Sequence, residues 1–167
     1  MGPTSAGKTT IANKLMKQLS ELNVTALHFD GDEVRELFGP SHGFAKEDRL
    51  LVVKALVHFA NKAVRSGICA VVSALTANEE SRQYVYDNAS NLIVCYLNCG
   101  IEICINRDPK GLYRKALNGE ICSLPGVNSP YMPPDKYDFT IDSEHYAVYQ
   151  CVEQILNKLQ ELNALKK

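Results

Sequence analysis

The chain opens on Gly2-Pro3-Thr4-Ser5-Ala6-Gly7-Lys8-Thr9, a G-x-x-x-x-G-K-[ST] spacing with only Met1 in front of it. No other stretch limits the possible folds so strongly. The two glycines let the backbone curl closely around a polyphosphate, with successive N–H groups directed inward as an anion-binding nest. Lys8 would reach the β- and γ-phosphates, and Thr9 would offer its hydroxyl to Mg²⁺. The positive end of the following helix adds to the field at the phosphates. That helix is supported by Ile11, Leu15 and Leu19, which recur on one face of the next segment. Four matched positions followed by a helix distinguish the pattern from a chance glycine-rich turn. In a parallel α/β sheet such a loop joins a strand to a helix. The first strand is apparently missing here, so a strand of roughly five or six residues is expected ahead of Met1, with a rearranged sheet edge as the alternative.

Apolar, β-rich runs alternate with helical stretches along the rest of the chain. Strands are expected over residues 24–29, 68–73, 92–98 and 137–141. Helices are expected over 33–38, 47–65, 78–88, 101–107, 112–117 and 146–162, with a Pro- and Gly-rich loop over 120–136. Continuous apolar strands separated by helices predict a parallel α/β sheet flanked by helices, of the phosphate-loop NTPase type. The length suits one domain, 1–167, without internal repeat or linker.

Composition narrows the function classes. Lys+Arg 18 against Asp+Glu 19 gives a net charge of -1, without the basic excess that binding a nucleic acid polymer needs. No apolar run reaches membrane-spanning length and no signal peptide is visible, so a cytoplasmic location is expected. The six cysteines form no C-x-x-C pair and read as reduced buried thiols. His28, His42, His58 and His145 lack metal-ligand spacing and read as structural or surface residues.

Two further clusters carry chemistry. Asp30-Gly31-Asp32-Glu33-Val34-Arg35 follows the 24–29 strand, at the end of a strand where ligands bind in such sheets. One carboxylate there would join a magnesium shell, and the other would orient or deprotonate an attacking hydroxyl. Arg35 would hold an anionic acceptor. A helix N-cap with a nearby surface charge is the alternative for this segment. Farther on, Arg107-Asp108-Pro109-Lys110-Gly111-Leu112-Tyr113-Arg114-Lys115 places cations in a segment suited to a lid, or to a solvated basic helix.

Taken together, GPTSAGKTT, FDGDEVR, GFAKEDR, RDPKGLYRKALNGEI and GVNSPY resemble the adenylylsulfate kinase family, almost end to end. The resemblance implies transfer of the γ-phosphate of MgATP to the ribose 3′-hydroxyl of adenylyl sulfate, with ATP and Mg²⁺ required, in a homodimer. It implies that Gly2, Pro3, Thr4, Ser5, Ala6, Gly7, Lys8, Thr9 and Thr10 hold ATP and magnesium, with Arg107 near the adenine. Asp30 would join Thr9 in the magnesium shell. Asp32 would face the acceptor hydroxyl, Arg35 and Arg49 its phosphate side, and Phe44 its base. Lys110 would act from a lid over residues 107–126. Lys8, Asp30, Asp32 and Lys110 are thus the expected catalytic set.

All departures from the family fall on the acceptor side. Val52 stands where the family has an asparagine, Leu124 where it has a base-stacking aromatic, and Met132 where it has a glutamate. Pro125 lacks both a hydroxyl and an N–H. Leu124, expected to line the acceptor site, cannot clamp a base as a ring does. Thr76 occupies the place of a family serine. This asymmetry keeps a second acceptor in view: cytidine diphosphoramidate, phosphorylated by similar kinases in capsule phosphoramidate synthesis. A catalytically silent nucleotide-binding subunit is the alternative of another class. The retained Lys8, Thr9, Asp30, Asp32 and Lys110 weigh against it. No N-K-x-D guanine motif supports a GTPase.

Overall fold

A computed structural model of the chain describes residues 1–39, 45–76 and 78–165. Phe44, expected at the acceptor base, lies outside the described residues.

The phosphate loop runs directly into α1 (Lys8–Glu21), whose apolar face buries Ile11, Leu15 and Leu19. Then follow β1 (Ala26–Asp30), α2 (Gly31–Leu37), α3 (Lys46–Arg65), β2 (Cys69–Ser73), α4 (Glu79–Asn88), β3 (Cys95–Asn98), α5 (Ile101–Arg107), α6 (Leu112–Leu117), β4 (Phe139–Asp142) and α7 (Val148–Glu161). The alternation is the parallel α/β arrangement that the apolar runs predict.

Several boundaries move for identifiable reasons. The expected 24–29 strand begins at Ala26 and extends through Asp30, because Asp30 pairs with Ser73 at the end of the β1–β2 ladder. The expected 33–38 helix starts earlier, at Gly31, because the Asp30 side chain caps it by accepting from the Asp32 N–H at 2.8 Å. The expected 137–141 strand is shifted to Phe139–Asp142, paired with β3 in parallel.

The described strands form two parallel pairs, β1 with β2 and β3 with β4. Met1 runs beside β3: its carbonyl accepts from the Leu97 N–H at 2.8 Å, and its α-amino group donates to the Cys95 carbonyl. Gly2 continues this contact, and a Cβ added there would sit 2.9 Å from the Leu97 carbonyl oxygen. Only a glycine permits that approach.

Helix α1 packs on the β1–β2 pair and against α7, while α3 packs on β1, β2 and α4. The main core joins α1 to Leu97, Phe139, Ile141, Val152 and Ile155, and extends to Tyr113 and Leu124. A smaller core of Val34, Val52 and Leu56 holds α2 against α3. Burial of each large side chain contributes roughly 1.5–3 kcal/mol, so both layers beneath the loop are firmly seated.

The thiols differ in their surroundings. Cys99, Cys104 and Cys151 are buried, Cys69 and Cys95 are half-buried, and Cys122 is exposed, so the expectation of buried thiols fails for half of them. All six are free. Among the described residues, no helix is long and apolar enough to cross a membrane.

Candidate active site

The C-terminal ends of β1 and β2, the N-terminus of α1 and the 107–126 segment enclose a cleft of about 500 Å³. Thr4, Ser5, Ala6, Gly7, Lys8, Thr9 and Thr10 line one wall. Left-handed turns at Ser5 (φ 61°) and Gly7 (φ 87°) curl the loop into this wall. Gly2 and Pro3 are buried and lie outside the lining, so their contribution is to the loop's base. The Lys8 ammonium donates to the carbonyls of Gly2 (3.0 Å) and Pro3. Burial pushes it down to about 8, against the opposing pull of Asp32, Cys104 and Asp30. A polyphosphate in the cleft would reverse that shift by supplying negative charge.

Asp30 stands where loop, β1 and β2 meet. Its Oδ2 accepts from the Thr9 hydroxyl at 2.6 Å and from the Ser73 hydroxyl at 2.6 Å, while its Oδ1 caps α2. Burial alone would raise its carboxyl; these hydrogen bonds outweigh burial and hold it below its ordinary value. The helix cap is present on Oδ1, while Oδ2 faces Thr9 and Ser73 at the cleft.

Thr9 and Asp30 fit a hard cation. They offer a hydroxyl and an ionised carboxylate side by side, and Mg²⁺ takes oxygen ligands while retaining waters and substrate phosphates. The Thr9 hydroxyl hydrogen points to Asp30, leaving oxygen lone pairs available. Among the described residues, no group of three or more His, Cys, Asp or Glu side chains is arranged to hold a metal.

Asp32 and Lys110 face each other in the cleft, 78 residues apart in sequence. The Lys110 ammonium donates to Asp32 Oδ2 at 2.6 Å, and this bond raises its affinity for its proton. Both side chains are about half exposed, at 55% and 51%, so the pair is open to exchange with ligands. Lys110 is positioned by the turn before α6, where Asp108 caps the helix by accepting from the N–H groups of Tyr113 and Arg114. Tyr113, fully buried, donates its hydroxyl to the Thr4 carbonyl at 3.1 Å and so ties α6 to the phosphate loop.

Arg35 and Arg49 line the same cleft from α2 and α3. Arg49 is buried and donates to the Ser123 carbonyl at 2.9 Å. Burial, then the neighbouring Arg35 guanidinium, bring it down to about 10, which leaves it charged at neutral pH. Val52 and Leu124 complete this side with aliphatic surface. Leu124 is 1% exposed and belongs mostly to the core, presenting only an edge to the cleft. Arg107, also in the lining, donates to the Ser143 carbonyl at 2.9 Å, ahead of α7.

The cleft thus brings together every expected site residue that is described, except Gly2 and Pro3 beneath it. Ser73 and His28 were not anticipated as site residues. His28, read from sequence as structural or surface, lies 2.8 Å from Ser73 Oγ. Its position two residues before Asp30 on one strand, hence on the same face, was the available signal. Thr76, in the place of a family serine, is buried, with its carbonyl accepting from Arg82.

A phosphate loop seated against parallel strands, with paired acids and a facing lysine, defines a phosphate-loop kinase. The adenylylsulphate kinase family model matches residues 1–142. A probable adenylyl-sulfate kinase of Pyrococcus abyssi is 35% identical over 164 residues, covering 98% of this chain and 94% of that protein. The adenylyl-sulfate kinase of Staphylococcus epidermidis is 36% identical, covering 96% and 81%. The solved structure of the Mycobacterium tuberculosis APS kinase CysC in complex with AMPPNP and APS has a TM-score of 0.87 at 27% identity, covering 96% of this chain and 94% of that one. The chain belongs to the adenylylsulfate kinase family, and so to the phosphotransferases.

Proposed function

We propose that the protein transfers the γ-phosphoryl group of MgATP to the ribose 3′-hydroxyl of adenylyl sulfate, giving 3′-phosphoadenylyl sulfate and ADP. The observation that carries this is the convergence of Lys8, Thr9, Asp30, Asp32 and Lys110 on one cleft. The family membership and the solved relative with APS and a nucleotide bound support the same acceptor.

The residues divide the work as follows. Loop residues Thr4 to Thr10 cradle the phosphates, and Lys8 reaches the β- and γ-phosphates. Thr9 and Asp30 hold Mg²⁺, which neutralises charge on the phosphates when bound. Asp32 accepts the hydrogen bond of the acceptor hydroxyl and aligns its oxygen for in-line attack. A bond forms from that oxygen to the γ-phosphorus as the bond to the bridging oxygen breaks. ADP leaves with the electron pair, and the hydroxyl proton passes to Asp32. Lys110 exchanges Asp32 for the transferring phosphoryl oxygens, and the 107–126 segment acts as the lid. Arg35 and Arg49 hold the anionic end of the acceptor. Arg107 borders the adenine. A homodimer, as the resemblance implies, is part of this proposal; the mass in solution tests it.

Incubation with MgATP and adenylyl sulfate, followed by a 3′-specific nucleotidase, tests the position of transfer. The proposal expects a product that this nucleotidase returns to adenylyl sulfate. A product resistant to it contradicts 3′ transfer.

The aliphatic Val52 and Leu124 lining favours one second reading, with the same chemistry on the 3′-hydroxyl of cytidine diphosphoramidate. A smaller pyrimidine needs less of an aromatic clamp.

A further inference from the structure

The buried acid Asp30 is held from behind as well as from the loop. In the β1–β2 ladder, Asp30 is paired with Ser73 and His28 with Val71, so the side chains of His28, Asp30 and Ser73 share one face. Ser73 Oγ donates to Asp30 Oδ2 at 2.6 Å, and His28 Nε2 lies 2.8 Å from Ser73 Oγ. Asp30 and Ser73 are 4% and 6% exposed, so water does not compete freely for these groups.

The proton positions follow from donor and acceptor counts. Asp30 accepts three hydrogen bonds, from Thr9, Ser73 and the Asp32 N–H, as an ionised carboxylate does. Ser73 has a single hydrogen, and it is directed to Asp30. The Ser73 oxygen therefore accepts from His28, and Nε2 is the nitrogen that carries the hydrogen.

We propose that His28 is a positioning residue for the metal site: its Nε2–H fixes the Ser73 hydroxyl, which fixes Asp30 Oδ2 toward Thr9. This rests on the reading of Asp30 and Thr9 as the magnesium-binding pair. His28 does not line the cleft and reaches Asp30 only through Ser73. Without its donor, the Ser73 hydroxyl is free to rotate, and Asp30 loses the bond that opposes its pull on Thr9. Partners of this kind, one step behind a ligating carboxylate, set metal affinity by fixing orientation, and their loss typically costs about 10–100-fold.

The experiment is calorimetric titration of a non-hydrolysable ATP analogue with Mg²⁺ and with chelator, on the unmodified protein, His28→Leu, His28→Gln and Ser73→Ala. The unmodified protein should bind the magnesium complex more tightly than the metal-free analogue. His28→Leu should lose roughly ten-fold of that gain with metal-free binding unchanged. His28→Gln, whose amide Nε2 keeps a donor at similar reach, should recover most of it. Ser73→Ala should show the same selective loss, and adding His28→Leu to it should cost nothing more, since His28 acts only through Ser73. A magnesium gain that survives both His28→Leu and Ser73→Ala overturns the inference alone. So does equal weakening of metal-free binding, or a His28→Gln variant no better than His28→Leu. Should His28→Leu not fold, Ser73→Ala and His28→Gln decide the matter between them. No magnesium gain in the unmodified protein overturns the magnesium role of Asp30, and this inference with it.

Discussion

Lys110 and Asp32, 78 residues apart, are joined by a 2.6 Å hydrogen bond across the mouth of the cleft. The pair occupies the two groups that the proposed transfer needs for other partners, the acceptor hydroxyl for Asp32 and the phosphoryl oxygens for Lys110. Both are half exposed, and an exposed pair contributes at most about 1 kcal/mol. Ligands therefore displace it at little cost. Asp32→Asn should lower kcat by roughly 100-fold or more, with ATP affinity changed less than about three-fold. Lys110→Ala should lower kcat with little loss of fold stability. Steady-state kinetics with nucleotide titration checks both; unchanged kcat in Asp32→Asn removes that residue from its role.

Proton uptake on nucleotide binding follows from Lys8. Burial holds its ammonium down to about 8 in the free protein. Near pH 9 it is mostly neutral, and bound phosphates bring it back to the charged form. Binding should therefore take up close to one proton at about pH 9 and almost none through Lys8 near pH 7, so affinity falls as pH rises through about 8. Calorimetry in buffers of different ionisation enthalpy reads the uptake. A Lys8→Ala variant should bind nucleotide weakly, without uptake and without turnover.

Arg82 anchors the loop before β4. It is 3% exposed and donates to the carbonyls of Thr76 (3.3 Å) and Met132 (2.8 Å) as well as to Glu79. Glu79 is 61% exposed, so the ion pair itself contributes little. Losing donors to two carbonyls is the larger effect, and Arg82→Ala should destabilise the fold by about 2–3 kcal/mol. A fall in melting temperature of roughly 5–10 °C is expected. A fall under about 2 °C would show that the loop is held by other contacts.

How far the sequence alone reaches is clear at particular residues. The phosphate loop and α1 are legible because glycine spacing and a 3.6-residue apolar period are local signals. So are the acids at the end of β1, which follow directly from a strand. The bond from His28 to Ser73 is not legible, since it depends on the register that pairs residues 26–30 with 69–73. Nothing in either segment states that register. The contact of Met1 with β3 is a second case, because pairing of a single residue leaves no periodic pattern. Leu124 is a third. It stands where the family places a ring, but its 1% exposure assigns it mainly to the core, and only packing reveals that.

That burial gives Leu124 a double effect. Leu124→Ala should destabilise the protein by roughly 2–4 kcal/mol through the cavity it leaves. It should also raise KM for the nucleotide acceptor more than KM for ATP, because Leu124 adjoins Ser123, whose carbonyl accepts from Arg49. Thermal melts and two-substrate kinetics separate these effects. Equal change in both KM values would place Leu124 in the core alone.

The most direct measurement is a coupled ADP-release assay with MgATP, comparing adenylyl sulfate with cytidine diphosphoramidate. The account predicts efficient turnover of adenylyl sulfate, with Val52 and Leu124 tolerated in the acceptor site. Turnover of the cytidine compound alone would contradict it, and would make those two aliphatic residues the basis of a different acceptor choice.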